Sequence, residues 1–303
     1  MTLPLCLVGR ANVLDKCIEL FSIKKPGERE LSHQPTLKIL HAGALRKPVV
    51  ECAKLLNDAS PGLDLQLESC GSRACARQVR EGKVVDILAL ADPMLFDELL
   101  GPEYVDKYYI FANDQIVLAY NEFSRGSGEI DVKNWFDILL REEVTFGRSN
   151  QHLDPCGYRT LMVWQLAEQY YERPGLFGQL DQRCRGDLIY PKSYDSASDV
   201  LVGKLDYAFE YLCVVNQFGL RYLTLPETIN LSNPAYADYY NQSAVSLQGK
   251  NSGEMITIPG APIEFAIAIP KNAENPTLAK DFLDLMLSKK GQQILEDCGL
   301  IPY

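Results

Sequence analysis

The stretch Asp154-Pro155-Cys156-Gly157-Tyr158-Arg159 reads as the start of a helix. Aspartate is a strong N-cap and proline is favoured at the first helical position. Tyr158, Leu161, Met162, Gln165, Leu166 and Gln169 then follow at helical spacing. A helix start carries unpaired backbone N–H groups and the positive end of the helix dipole, so it can hold an anion without a formal positive charge. The question for the rest of the chain is whether other helix starts meet this one.

Upstream, residues 38–41 predict a strand, Ala42-Gly43-Ala44 a turn, and Leu45, Val49, Ala53 and Leu56 one face of a helix. Residues 63–68 predict a second strand, Cys70-Gly71-Ser72 a turn, Ala76 and Val79 a second helix, and residues 84–91 a buried third strand. That order implies a parallel sheet with right-handed crossovers. It puts the helix starts near Ala44 and Ser72 at one sheet edge, where open α/β sheets bind ligands. Downstream, residues 115–120 are a strand, followed by a helix near 135–140, a strand at Phe146 and the Asp154 start. Residues 188–191 are extended, Ser193 is placed to cap a helix through Ala197, Val200 and Leu201, and residues 204–211 form a strand ending in Glu210 and Tyr211. A second α/β unit therefore repeats the first, with starts at Asp154 and Ser193. Residues 263–269 form a long apolar strand, and 279–287 and 292–295 are C-terminal helices. Two lobes joined by extended crossings suit this pattern better than one large sheet.

The chain has 303 residues, 47% of them hydrophobic, which suits about two domains with substantial cores. Forty acidic against 30 basic residues, a net charge of -10, argue against nucleic acid or an anionic membrane as partner, so a bound anion must be held by local dipoles. The nine cysteines show no paired C-x-x-C pattern and leave the disulfide state and redox compartment open. No apolar run reaches the ~18 residues of a membrane span, and residues 3–8 are too short for a signal-peptide core. Residues 1–36, with a candidate amphipathic helix at 11–22 and a polar stretch at 24–35, are expected to be a leader and linker.

With these stretches in hand, residues 37–303 resemble the archaeal-type tungstate/molybdate-binding proteins, the WtpA relatives of ModA that serve ABC importers. The resemblance rests on Leu40-His41-Ala42-Gly43, Gly71-Ser72-Arg73-Ala74-Cys75, Asp86-Ile87-Leu88-Ala89, residues 115–120, Asp154 to Arg159, residues 205–211, Tyr236-Ala237-Asp238 and Gly291-Gln292-Gln293. It implies an α/β, two-lobed periplasmic-binding-protein-like fold of type II with an anion cleft between the lobes. Lobe I would be residues 37–116 plus 267–303, and lobe II residues 117–266. It implies a monomer without cofactor that captures molybdate or tungstate outside the cell, at the membrane, and passes it to an ABC permease. Carried over by position, the implied ligand-binding residues are Ala44, Ser72, Asp154, Pro155, Cys156, Ser193 and Tyr211, with the Asp154 carboxylate approaching the metal at the centre of the oxyanion. Pro155 itself lacks an N–H. The family pattern has serine where this chain has Ala44 and glutamate where it has Ser193, so a hydroxyl and a carboxylate are missing, and Asp154 is the one carboxylate expected at the centre.

Read from the residues alone, Asp154 is a plain N-cap, Ser72 a capping hydroxyl and Tyr211 a core-edge aromatic; only the resemblance makes them ligands. Arg159 reads as an ion-pairing residue and Glu210 as a strand-end charge, both outside the site. An enzyme alternative is a Cys-dependent hydrolase with Cys156 in the first turn of a helix and His152 nearby. The Cys-x5-Arg spacing of phosphatases fails, because Ala76 and Met162 stand where arginine is needed. An oxyanion sensor on the same fold is the third alternative, although 36 residues are too few for a preceding helix-turn-helix domain.

Overall fold

Short apolar runs separated by helices fold this chain into two sheets and a detached hairpin. The computed structural model describes residues 34–251 and 253–303. The leader expected over residues 1–36 lies outside the described residues up to position 33. In chain order the strands are β1 (Thr36–Ala42), β2 (Asp64–Cys70), β3 (Ile87–Leu90), β4 (Tyr108–Asp114), β5 (Ile116–Tyr120), β6 (Phe146–Ser149), β7 (Ile189–Tyr190), β8 (Tyr207–Tyr211), β9 (Arg221–Thr224), β10 (Ala244–Gln248), β11 (Met255–Pro259), β12 (Ile263–Ala268) and β13 (Ile301–Pro302).

The first sheet runs β13-β4-β12-β3-β1-β2, with β1 parallel to both β2 and β3 as the helical crossovers require. Beyond β3 it becomes antiparallel through β12, β4 and β13. The sheet is therefore mixed rather than purely parallel, because the chain leaves it after β4 and returns through β12 without a crossover helix. All of β12 lies here, including the part that the expected division at residue 266 assigns to the other lobe. The second sheet runs β7-β6-β8-β5-β9, with β6 parallel to β7 and β8, and β5 antiparallel to β8 and β9.

Each sheet is covered by helices whose apolar faces match the reading of the sequence. Val49, Cys52, Ala53 and Leu56 of the Arg46–Ala59 helix are buried under the first sheet. On the second, an aromatic cluster forms where Trp164 of the Pro155–Tyr170 helix meets Phe209 with ring centres 5.4 Å apart, and Trp135 meets Phe209 at 5.7 Å. Each such buried ring contributes about 1.5–3 kcal/mol of transfer free energy, so this cluster is a substantial part of the core beneath Asp154.

One residue, Gln115, separates β4 from β5, so the first passage between the sheets is extended and short. The return runs alongside it: Ile116 N–H donates to Asn230 O (2.9 Å) and Ile263 N–H to Leu231 O (2.8 Å). The buried Asp114 carboxylate ties this junction together, accepting from the amides of Gln115 (2.7 Å), Leu212 (3.1 Å) and Cys213 (3.3 Å).

The β10–β11 hairpin, which the sequence pattern did not reveal, touches both sides. Gln165 of the Pro155–Tyr170 helix makes two 2.9 Å bonds to the backbone of Ala244. At the other end, Arg73, Arg77 and Arg80 of the Ser72–Arg80 helix reach Gln248 O, Gln248 Oε1 and Lys250 O. Their spacing of four and three puts the three arginines on one helix face.

Candidate functional site

The helix starts singled out in the sequence face each other across the junction of the two sheets. Asp154 caps the Pro155–Tyr170 helix: its Oδ1 accepts from Cys156 N–H at 3.0 Å, and Pro155 fills the first helical position, as its fixed φ favours. The other oxygen, Oδ2, accepts from Ser193 N–H at 3.1 Å, at the first residue of the Ser193–Leu201 helix. One carboxylate thus satisfies the starts of two helices. Gly157 N–H turns to Asp154 O (3.1 Å), so the first-turn amides expected to face an anion are engaged by Asp154 itself.

The turn Gly71-Ser72 stands opposite. Gly71 is the N-cap, and Ser72 is the first helical residue rather than a cap; its Oγ accepts from Ala91 N–H at 2.9 Å, just past β3. Arg73 and Ala74 N–H both donate across to Leu153 O, at 3.1 and 3.2 Å. A Cβ on Gly71 would lie 2.4 Å from Leu153 O and 3.1 Å from the Asp154 Cβ. Glycine is therefore required here by close approach, not by its backbone angle, since its φ is -63°. Cys70 and Cys75 bracket this turn in a disulfide. Among the described residues the free cysteines are Cys52, Cys156, Cys184, Cys213 and Cys298, all buried.

Ala44 lies in a short 3-10 turn, Gly43–Leu45, ahead of the Arg46–Ala59 helix. Its carbonyl, not its amide, is the engaged group, accepting from Gln217 Nε2 at 2.7 Å. A Cβ on the preceding Gly43 would touch Tyr194 and Lys192, which places this turn against the start of the Ser193 helix.

One buried hydroxyl in this region, Tyr211 Oη, has no protein partner, whereas Ser193 Oγ lies against the Asp154 carboxyl and Ser149 Oγ against the Cys156 thiol. Lys192, and not the expected Ser193, holds the N-cap position, and the serine side chain caps nothing. Unpaired buried hydroxyls cost about 1–3 kcal/mol each, so a hydrogen-bonding ligand would offset a real penalty.

The charges are as informative. Burial pushes the Asp154 carboxyl up to about 6, against the opposing pull of the Ser193 and Cys156 amides. Glu210, set aside in the sequence as a strand-end charge, is fully buried, accepts from Ser196 Oγ and lies 3.9 Å from Cys156 Sγ. Burial raises its carboxyl well above the ordinary range, with Asp154 adding to the rise. A second buried carboxyl, that of Glu210, thus lies within electrostatic reach of Asp154. Burial thus shifts both carboxyls toward the neutral form, which lessens their negative charge beside a bound anion.

Cys156 faces Phe209 O (3.6 Å) and Glu210, and burial holds its thiol well above the ordinary value. Those surroundings oppose a thiolate nucleophile. Arg159, expected to ion-pair, does so in full burial: Nη2 meets Asp92 Oδ2 at 3.0 Å, Nη1 meets Ala261 O at 3.0 Å, and Tyr158 Oη donates to the same Asp92 oxygen. Asp92 follows β3, so this pair joins the first sheet to the helix of the second. No signal in the sequence marked Asp92, or pointed to burial of the strand-end charge Glu210, because each needs its fold partner to be recognised.

Residues 37–301 match the family described as bacterial extracellular solute-binding protein. The chain belongs to that family. Among relatives of this solute-binding protein, one from Petrotoga mobilis, itself called a solute-binding protein, is 39% identical over 262 residues, covering 86% of this chain and 82% of the relative. The molybdate/tungstate-binding protein WtpA of Pyrococcus abyssi is 36% identical over 301 residues, covering 89% and 86%. Among solved structures, the periplasmic molybdate-binding protein of Azotobacter vinelandii aligns with a TM-score of 0.64 at 16% identity, over 88% of this chain and 98% of that one. The sulfate-binding protein SubI of Mycobacterium tuberculosis aligns with a TM-score of 0.65 at 13% identity, over 89% and 87%. At such identities the structural likeness speaks for the fold alone: this solute-binding protein has the two-sheet, type II fold of periplasmic substrate-binding proteins.

Proposed function

We propose that this solute-binding protein captures molybdate or tungstate between its two sheets and delivers it to an ABC permease outside the cytoplasm. The observation that carries the reading is the Asp154 carboxylate bridging the amides of Cys156 and Ser193, with the Ser193 hydroxyl beside it and the unpartnered Tyr211 hydroxyl buried in the same region. Hydroxyls of this kind suit a tetrahedral oxyanion, whose oxygens accept from them while helix dipoles replace formal charge. The relatives called molybdate/tungstate-binding narrow the class to metal oxyanions. Molybdenum and tungsten expand beyond four oxygens far more readily than sulfur or phosphorus, so Asp154 and Glu210 oxygens near the centre would favour them.

In this reading the lobes are the two sheets with their helices, the anion sits at Ser72, Asp154, Ser193 and Tyr211, and closure excludes water from it. Ala44, Pro155 and Cys156 shape the wall rather than donate. The chain would act as a monomer, without cofactor and without turnover. Calorimetry with molybdate, tungstate, sulfate and phosphate tests this, together with the melting temperature, which a ligand of the folded state raises by mass action. Tungstate and molybdate are expected to bind more tightly than the other two. Silence with all four at millimolar concentration would sink the proposal.

A further inference from the structure

We infer that the Cys70–Cys75 disulfide is a positioning clamp for the Ser72 turn, so that anion affinity depends on its oxidation. This rests on the function proposed above. β2 is the edge strand of its sheet, paired on one side only, to β1. Its last residue is Cys70, and nothing but Gly71 separates that strand from the first helical residue, Ser72. The bond crosses this gap to Cys75 in the first turn of the helix, closing a ring over Gly71, Ser72, Arg73 and Ala74 with Cα atoms 5.8 Å apart. Those ring residues make the contacts that matter: Ser72 Oγ is held by Ala91 N–H, and the Arg73 and Ala74 amides reach across to Leu153 O, beside Asp154. Cys75 is fully buried against His41 O at 3.6 Å, so the helix end of the clamp is fixed while the strand end is tied to an edge.

Cutting the bond leaves Gly71, the most permissive backbone residue, as the joint between an edge strand and the helix start. The turn then samples orientations in which Ser72 and the two amides are misplaced, and anion binding must reorder them. The redox step is a two-electron exchange. An added phosphine or dithiol is oxidised as the S–S bond becomes two thiols, and an oxidant reverses it. In an oxidising exterior the bond persists, whereas a reducing cytosol would keep the chain in its weak-binding form.

The test measures tungstate binding by calorimetry on the full chain in three forms: oxidised, reduced and desalted under nitrogen so that no reductant meets the anion, and reoxidised. Cys70→Ser/Cys75→Ser is run alongside. Amide exchange of residues 72–74 and the melting temperature of the anion-free protein are followed in each form. Expected is an affinity at least about tenfold weaker in the reduced protein and in the double variant, with faster exchange confined to the ring and recovery on reoxidation. Equal affinity in all forms would overturn the clamp while leaving the oxyanion function standing. A fall in melting temperature with unchanged affinity would mark the bond as structural only and overturn it too. No binding by the oxidised protein would remove the function, and the clamp with it.

Discussion

Glu210 sits at the end of β8 with its carboxyl buried between Ser196 and Cys156 and within electrostatic reach of Asp154. Glu210→Gln keeps an acceptor for Ser196 and removes the acid. Tungstate affinity is expected to fall about tenfold, about 1.4 kcal/mol, with sulfate affinity nearly unchanged, as calorimetry on both anions would show. An equal loss for both would mean that Glu210 supports the wall without reading the central atom. Asp114 allows a test by pH. Burial raises its carboxyl from 3.8 to about 7 despite three amide donors. Between those limits the folded protein keeps a proton that the unfolded chain has released, so this group's contribution to stability falls as pH rises from about 4 to about 7. The slope is about 1.4 kcal/mol per pH unit in mid-window. Asp114→Asn cannot titrate, and urea unfolding across that range should show a shallower decline than wild type. Asp154 was legible in the sequence because a cap followed by proline is a local signal. Glu210 and Asp92 were not, since burial of a charge is decided by distant segments.

At the scale of elements, the Gly71 turn and the Leu153 loop approach until a single methyl group would separate them. Gly71→Ala forces Leu153 O away, and with it the amide contacts of Arg73 and Ala74. The φ of -63° accommodates alanine, so each half should fold normally. Tungstate affinity is expected to drop by tenfold or more with a melting temperature within a few degrees of wild type. An unaffected affinity would show that this approach is not part of the binding arrangement. The β1–β2–β3 unit and its two helices were readable from apolar periodicity, as was the repeat in the second half. β4 was missed because its burial does not alternate cleanly, whereas β10 does alternate and was overlooked as too short a run to stand out on its own. The disulfide was invisible because it joins a strand end to a helix, a pairing that cysteine spacing alone does not dictate.

For the whole molecule, the Asp92–Arg159 pair is a buried link between the halves, 1% and 2% exposed. Removing one partner strands the other charge, which costs about 3–5 kcal/mol. Asp92→Asn is therefore expected to lower the melting temperature by on the order of 10 °C. X-ray scattering from the anion-free variant should show a larger radius than wild type, recovered in part by tungstate. An unchanged melting temperature and radius would show that the pair does not hold the halves together.

The hairpin is fastened differently on its two sides. Its Gln165 side is a paired, two-way bond to one backbone residue, and its other side is three arginine side chains reaching carbonyl and amide oxygens. Parting of the halves, which the proposed function would require, would have to break one of these two attachments, and we expect the arginine side to be the one that yields. On the proposed function, an anion could then leave only after three arginine side chains had released together, so its time aboard would depend on that grip as well as on the seat.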